Sequence, residues 1–377
     1  MRLLTGILYL FLFHTWCFGQ VRLVIETIPE NTDPNDTLFL ASSLNKWSPH
    51  DKEFIFTKDD SGKLAITFSP ATPQFEFKIT RGGWEKVEVN QNGTHIKNRT
   101  LISNQDTIIH IKVAGWLDAF PKKQRASTAS KNVVFTPTNI EIPQLNRRRT
   151  VRIYFPPNYS SGRRFPVIYM HDGQNLFDDA TSFSGEWGID ETLDSLYSFR
   201  GFSCIVVGIY NDDKYRMNEY SPWKNDSLGM GGEGDEYARF IVKTLKPFID
   251  SHYRTLPDRD NTVIMGSSMG GLISLYIALE YPDIFGKAGI FSPSFWFSQK
   301  SFDQIDKYKL KKDQKIFLVA GSLEGGNTVD NVKKAEEKLR VAGFDDQLLQ
   351  VKISSGGYHN EGFWGSEFGD AIKFLFK

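Results

Sequence analysis

Cysteine is nearly missing from this chain: its 377 residues hold two, Cys17 and Cys204. Cys17 lies in the N-terminal apolar stretch, and Cys204 sits in the run Phe202-Ser203-Cys204-Ile205-Val206-Val207, which reads as core. Once a leader is removed a single thiol remains, so no intrachain disulfide holds the fold and apolar burial has to do it. An excess of either charge is missing as well. Lys plus Arg and Asp plus Glu number 45 each, so no net field draws the chain to nucleic acid or to an anionic membrane. Membrane-spanning length is lacking too: after Arg2, the apolar residues 3–13 are too short to cross a bilayer comfortably and read as an export signal. A cut before Gln20 follows, with Cys17 and Gly19 as the small residues ahead of it, and a retained anchor is the competing reading. Lipidation of Cys17 finds little support, because Phe13-His14-Thr15-Trp16 is bulky and polar. The expected location is periplasmic or secreted, with no stable membrane insertion after cleavage.

What is present is ordinary for a globular protein: 40% hydrophobic and 24% charged residues. At roughly 100 to 200 residues per domain, the length predicts two domains, or one large domain with an appendage. Aromatics are plentiful, with 30 Phe and 8 Trp, which suits aromatic-lined strands and can also supply a sugar-stacking surface.

Two segments follow different grammars. Over residues 20–118 short alternating runs recur, such as Arg22-Leu23-Val24-Ile25 and Phe75-Glu76-Phe77-Lys78-Ile79, separated by turn clusters such as Lys58-Asp59-Asp60-Ser61-Gly62. No helical period stands out there, so a small antiparallel β-sandwich is predicted. Residues 119–131 are polar and small and read as an exposed linker. From residue 132 to 377 strands alternate with helices: strands near 151–155, 167–170, 205–209, 262–265, 315–320 and 349–353, helices near 190–199, 237–252, 272–281 and 329–342. That alternation predicts an α/β domain with a mostly parallel sheet covered on both faces.

The chemistry gathers after the strand ending at Met265, where Gly266-Ser267-Ser268-Met269-Gly270-Gly271 leads into a helix-like run. A nucleophile elbow needs glycines on both sides of its serine, because the turn leaves no room for side chains and holds the hydroxyl out at the sheet edge. Gly266 and Gly270 flank Ser268 as required. A glycine-rich phosphate loop is the rival use, but no Lys follows the glycines. A serine hydroxyl needs an imidazole to take its proton, and the triad order in such folds is serine, acid, histidine. Of the seven histidines only His359 lies beyond Ser268, in the loop Ser354-Ser355-Gly356-Gly357-Tyr358-His359. The acid is sought after the strand at 315–320. Glu324 follows that strand directly, while Asp330 precedes a helix, where an Asp often serves as a cap. Both stay open, with Glu324 first. Backbone N–H groups must face the developing oxyanion. Met269 supplies one, and Gln174, in His171-Asp172-Gly173-Gln174-Asn175-Leu176-Phe177, supplies the other. His171 and Asp172 lack a third ligand cluster, so no metal site is expected, and no cofactor is called for.

Residues 132–377 resemble the esterase family that includes enterochelin, feruloyl and acetylxylan esterases and mycolyltransferases. The words that carry it are His171 to Asp178, Glu186-Trp187-Gly188-Ile189-Asp190, Tyr253-Arg254-Thr255 and Gly266 to Gly271. The resemblance implies the α/β-hydrolase fold, a triad of Ser268, Glu324 and His359, and an oxyanion hole of Gln174 and Met269; members of the family use either Asp or Glu as the acid. More loosely, residues 20–118 are similar to starch- and glycogen-binding modules, in Leu44-Asn45-Lys46-Trp47, Phe75-Glu76-Phe77-Lys78, Trp84-Glu85 and Asn98-Arg99. That likeness implies sugar stacking on Trp47 or Trp84, with Lys78 and Asn98 bonding hydroxyls; the alternative is that both tryptophans are core.

The leading reading is a serine carboxylic ester hydrolase acting through an acyl-enzyme on acyl or feruloyl esters of glycans. A siderophore ester hydrolase of the enterochelin type is the second, and a non-catalytic glycan-binding protein is the reading from another class. The expected partner is an ester substrate, not nucleic acid.

Overall fold

A computed structural model describes residues 19–45, 47–120, 125–183 and 185–377. The expected export signal lies outside the described residues except for Gly19, and so do Lys46 and residues 121–124 of the linker. The chain separates into two compact units, Met1–Lys123 and Gln124–Lys377.

In the first unit the alternating runs become strands. Thr57–Lys58, Leu64–Phe68, Val21–Thr27 and Thr107–Lys112 form one sheet in that order, and Phe39–Ser42, Gln74–Thr80 and Arg99–Ile102 form another. Leu23 and Ile66 from the first sheet and Leu40, Phe77 and Ile79 from the second meet in one core around the fully buried Trp116. One pairing departs from an all-antiparallel sandwich: Val21–Thr27 runs antiparallel to Leu64–Phe68 but parallel to Thr107–Lys112. Alternation cannot reveal this, since both pairings share a period of two. Glu88, wholly buried, is neutralised by Arg99 at 2.8 Å and accepts the Ile79 N–H at 2.9 Å.

The second unit is built on an eight-stranded sheet. Its strands are β1 (Val133–Phe135), β2 (Val151–Tyr154), β3 (Val167–His171), β4 (Ile205–Ile209), β5 (Thr262–Ser267), β6 (Lys287–Phe291), β7 (Lys315–Gly321) and β8 (Leu349–Ser354), in the order β1-β2-β4-β3-β5-β6-β7-β8. β1, β2 and β4 pair antiparallel, and every pairing from β4 to β8 is parallel. All six residues of β5 are buried, because helices cover both faces. Val263 and Met265 face a core shared with helix α1 (Ile189–Arg200) and helix α4 (Glu361–Leu375). Ile264 faces the opposite core, shared with helix α2 (Met269–Glu280) and helix α3 (Thr328–Val341). The expected helix near 237–252 begins earlier and is interrupted: Gly234–Phe240 and Lys246–His252 are α-helical, and Ile241–Leu245 between them is π-wound.

β6 and α4 have no counterpart in the sequence reading. β6 is a five-residue strand with a glycine in its middle. α4 carries Gly362, Gly365 and Gly369, each costing about 1 kcal/mol relative to Ala in a helix interior. Tertiary packing explains one of them, since a Cβ at Gly365 would stand 2.1 Å from the Trp187 carbonyl oxygen. The Asn360 side chain caps α4 by accepting the Phe363 N–H at 2.9 Å.

Linker residues 125–128 are exposed yet tethered: Arg125 pairs with Asp179 at 2.9 Å and the Ser127 hydroxyl donates to Asp178 at 2.8 Å. Because the cores of the two units are separate, a fragment of residues 125–377 is expected to give one cooperative thermal transition with a native near-ultraviolet dichroism signal. A broad melt without that signal would show that the second core does not stand alone.

Candidate active site

Ser268 is placed between β5 and α2 with φ 57° and ψ −123°, a conformation that side-chain-bearing residues seldom adopt. The turn is sharp enough that a Cβ at Gly266 would lie 2.8 Å from the Gly270 backbone and 2.9 Å from the His171 ring. Strain of this kind costs on the order of 1–3 kcal/mol and persists only where neighbours enforce it. Here the Ser268 N–H donates to the Phe291 carbonyl at 2.9 Å and the Ser268 carbonyl accepts the Ser294 N–H at 3.0 Å, pinning the elbow to the end of β6.

The next two strands deliver the acid and its support. Glu324 follows β7, and its side chain is 1% exposed against 42% for His359. One carboxylate oxygen accepts from His359 Nδ1 at 2.8 Å. The other accepts the Gly321 N–H at 2.7 Å and the Ser292 hydroxyl. Burial alone would raise the Glu324 pKa, but these three donors, His359 first, more than offset it and hold the group below its ordinary value. Ser292, at φ 43°, in turn accepts the Trp364 indole N–H at 2.8 Å, and Trp364 stands edge-on to the His359 ring at 4.9 Å. The structure therefore brings Glu324 to His359. Asp330 is exposed in the first turn of α3 and has no bond to the imidazole. The Ser268 hydroxyl lies 3.2 Å from that of Ser294, and no bond joins it to His359 among the described residues.

The two proposed oxyanion donors follow neighbouring strands. β3 and β5 are parallel neighbours with Met170 opposite Met265, and Gln174 and Met269 each follow four residues later. Met269 opens α2, so its N–H is among the first-turn amides that lack a partner within the helix. Gly173 permits the approach of the Gln174 loop, since a Cβ there would stand 2.5 Å from the Gly208 backbone. Asp172, at φ 56°, receives two bonds from Arg216 at 2.8 Å and one from Asn211 at 2.6 Å. Burial raises and Arg216 lowers its pKa, and the net effect is downward.

The sugar-site candidates belong to the first unit. Trp84 is 43% exposed and Trp47 is half-buried, their rings 6.3 Å apart, so Trp84 is no core residue; that place is taken by Trp116. Lys78 does not fit its expected part, because it is buried with its ammonium on the Ile96 carbonyl. Asn98 donates to Glu76 at 2.9 Å. No group of three or more His, Cys, Asp or Glu side chains among the described residues is arranged to hold a metal ion, and no helix among them is long and apolar enough to cross a membrane. Ser292, Ser294, Trp364 and Arg216 escaped sequence reasoning, since none stands in a recognisable motif.

Residues 142–375 match the family described as "Putative esterase". The chain belongs to this esterase family. It is 36% identical over 222 residues to the ferri-bacillibactin esterase BesA of Bacillus subtilis, covering 52% of this chain and 74% of that one. It is 25% identical over 240 residues to an endo-1,4-beta-xylanase/feruloyl esterase of Xylanibacter ruminicola, covering 61% of this chain and 30% of the relative. Among solved structures, the enterobactin esterase FES of Shigella flexneri shares the fold with a TM-score of 0.53 at 14% identity, over 92% of this chain and 95% of that one. The esterase is thus a carboxylic ester hydrolase of the α/β-hydrolase fold, of the enterochelin and feruloyl esterase type.

One buried group gives this esterase a pH signature. Burial lowers the His171 pKa to about 3, so the ring stays neutral beneath the elbow, its Nδ1 paired with Tyr237 at 3.0 Å. The unfolded chain takes up that proton near 6.5. Stability is full above that pH and falls as the pH drops from about 6.5 toward 3, by up to about 1.4 kcal/mol per unit. Urea unfolding at pH 7 and pH 5 is expected to show a smaller loss in His171→Gln than in the wild type; equal losses would rule out His171 as the source.

Proposed function

We propose that Ser268 is the nucleophile, His359 the general base and acid, and Glu324 the residue that orients and stabilises the imidazole. The observation that carries this is the 2.8 Å bond from His359 Nδ1 to a carboxylate 1% exposed, at the same sheet edge as the strained Ser268. With Nδ1 committed to Glu324, Nε2 is the nitrogen free to take the Ser268 proton. The hydroxyl oxygen then attacks the ester carbonyl, and the N–H groups of Met269 and Gln174 stabilise the negative oxygen. His359 passes the proton to the departing alcohol, which leaves the acyl group on Ser268. Water, deprotonated by His359, attacks that acyl group, and the acid leaves as the serine recovers its proton.

For substrate we propose acyl or feruloyl esters of glycans, met outside the cytoplasm if residues 1–19 act as an export signal. The feruloyl esterase relative and the exposed Trp84 beside Trp47 support this. A siderophore ester is the second reading, favoured by the 36% identity to a ferri-bacillibactin esterase. The exposed Trp296, Leu323 and Tyr358, close in sequence to Ser294, Glu324 and His359, suit an aromatic substrate under either reading. A hydrolysis screen over feruloylated glycans, acetylated glycans and siderophore trilactones separates them, and turnover of trilactones alone would overturn the glycan reading.

Ser268→Ala is expected to lower turnover by about four orders of magnitude with an unchanged melting temperature. Glu324→Gln should cost on the order of a thousandfold in kcat, and Asp330→Asn should stay within about twofold of the wild type. Steady-state kinetics on a nitrophenyl ester checks all three, and a reversed order for the two carboxylates would make Asp330 the acid.

A further inference from the structure

We propose that Thr128, outside the 142–375 span that matches the family, is a positioning residue for the oxyanion loop. The inference rests on the reading above, in which the Gln174 N–H stabilises the oxyanion. The Thr128 hydroxyl donates to Glu186 at 2.6 Å and accepts the Asp179 N–H at 2.8 Å. Its own N–H donates to Asp178 at 3.2 Å. One side chain thus joins two segments that follow Gln174 and are seven residues apart in sequence, from Asp179 to Glu186.

Each of these segments grips the loop. On the Asp179 side, the Thr181 hydroxyl donates to the Gln174 carbonyl at 2.8 Å, and the Phe183 N–H donates to the Asn175 side chain at 3.1 Å. On the Glu186 side, the next residue, Trp187, donates its N–H to the Asn175 carbonyl at 2.9 Å. The two carbonyls that follow the oxyanion donor along the chain are therefore both held, by residues from the two segments that Thr128 ties together. Hydrogen bonds to a carboxylate are among the stronger ones, so the Thr128–Glu186 contact is a fitting clasp even near solvent. A residue that only fastened the chain to the surface would act on stability. One that aims the Gln174 N–H acts on charge that develops only in the transition state, and so on kcat rather than KM.

The test compares wild type, Thr128→Val, Thr128→Ser and Ser268→Ala in the full chain, with steady-state kinetics on a soluble nitrophenyl ester and thermal melting in parallel. Thr128 is exposed, so both of its variants are expected to fold. The expected result is a kcat about fivefold lower in Thr128→Val, equivalent to about 1 kcal/mol, with KM and melting temperature unchanged and wild-type kinetics restored in Thr128→Ser. Wild-type kcat in Thr128→Val overturns the proposal, as does an equal loss in Thr128→Ser or a loss that follows the melting temperature. An inactive Ser268→Ala beside a fully active Thr128→Val defeats the positioning role alone. Activity surviving in Ser268→Ala overturns the underlying triad, and the positioning role with it.

Discussion

The strained backbone of Ser268 is the constraint on which the rest of the second unit depends. A residue at φ 57° and ψ −123° is kept there because Phe291 at the end of β6 accepts its N–H and Ser294, just beyond that strand, donates to its carbonyl. That arrangement requires β6 beside β5 in parallel register, which in turn requires helices on both faces, since a parallel sheet is stable only when covered. The cores on either side of Val263, Ile264 and Met265 are therefore what hold a hydroxyl out at the sheet edge.

The same edge solves an electrostatic problem. A carboxylate as buried as Glu324 is costly unless every oxygen is satisfied. Three strands contribute to satisfying it: the Gly321 N–H at the end of β7, the Ser292 hydroxyl after β6, and the imidazole from the loop after β8. Ser292 is held in its turn by Trp364 of α4, whose ring also flanks His359. One tryptophan thereby touches both the base and the residue that fixes the acid. Gly365 of α4 fits this role, because close approach of that helix to Trp187 leaves no room for a side chain there.

The first unit shows the opposite economy. Its sheets close over a core of ordinary aliphatic and aromatic residues, and its buried polar groups are spent internally, Glu88 on Arg99 and Lys78 on a backbone carbonyl. Among the described residues of this unit Trp84 is exposed, beside the half-buried Trp47.

The sequence by itself determined whatever depends on neighbours along the chain. Alternation marked the strands at 22–25 and 75–79, and a short apolar run the one at 262–265; glycines around Ser268 marked the elbow; elimination left His359, because no other histidine follows the serine. The tertiary structure decided whatever depends on strand order. Glu324 rather than Asp330 meets His359, because β7 and β8 are adjacent and Glu324 sits at the strand end, while Asp330 points its charge into solvent from a helix. Ser292 and Trp364 are partners across 72 residues, and Asn175 and Glu361 across 186, with no local pattern to announce either. The parallel first strand, the glycine-bearing α4 and the tethered residues 125–128 were hidden for the same reason. Local turn chemistry and periodicity are written in adjacent residues, whereas a hydrogen bond between distant segments exists only once burial has set which strands lie side by side.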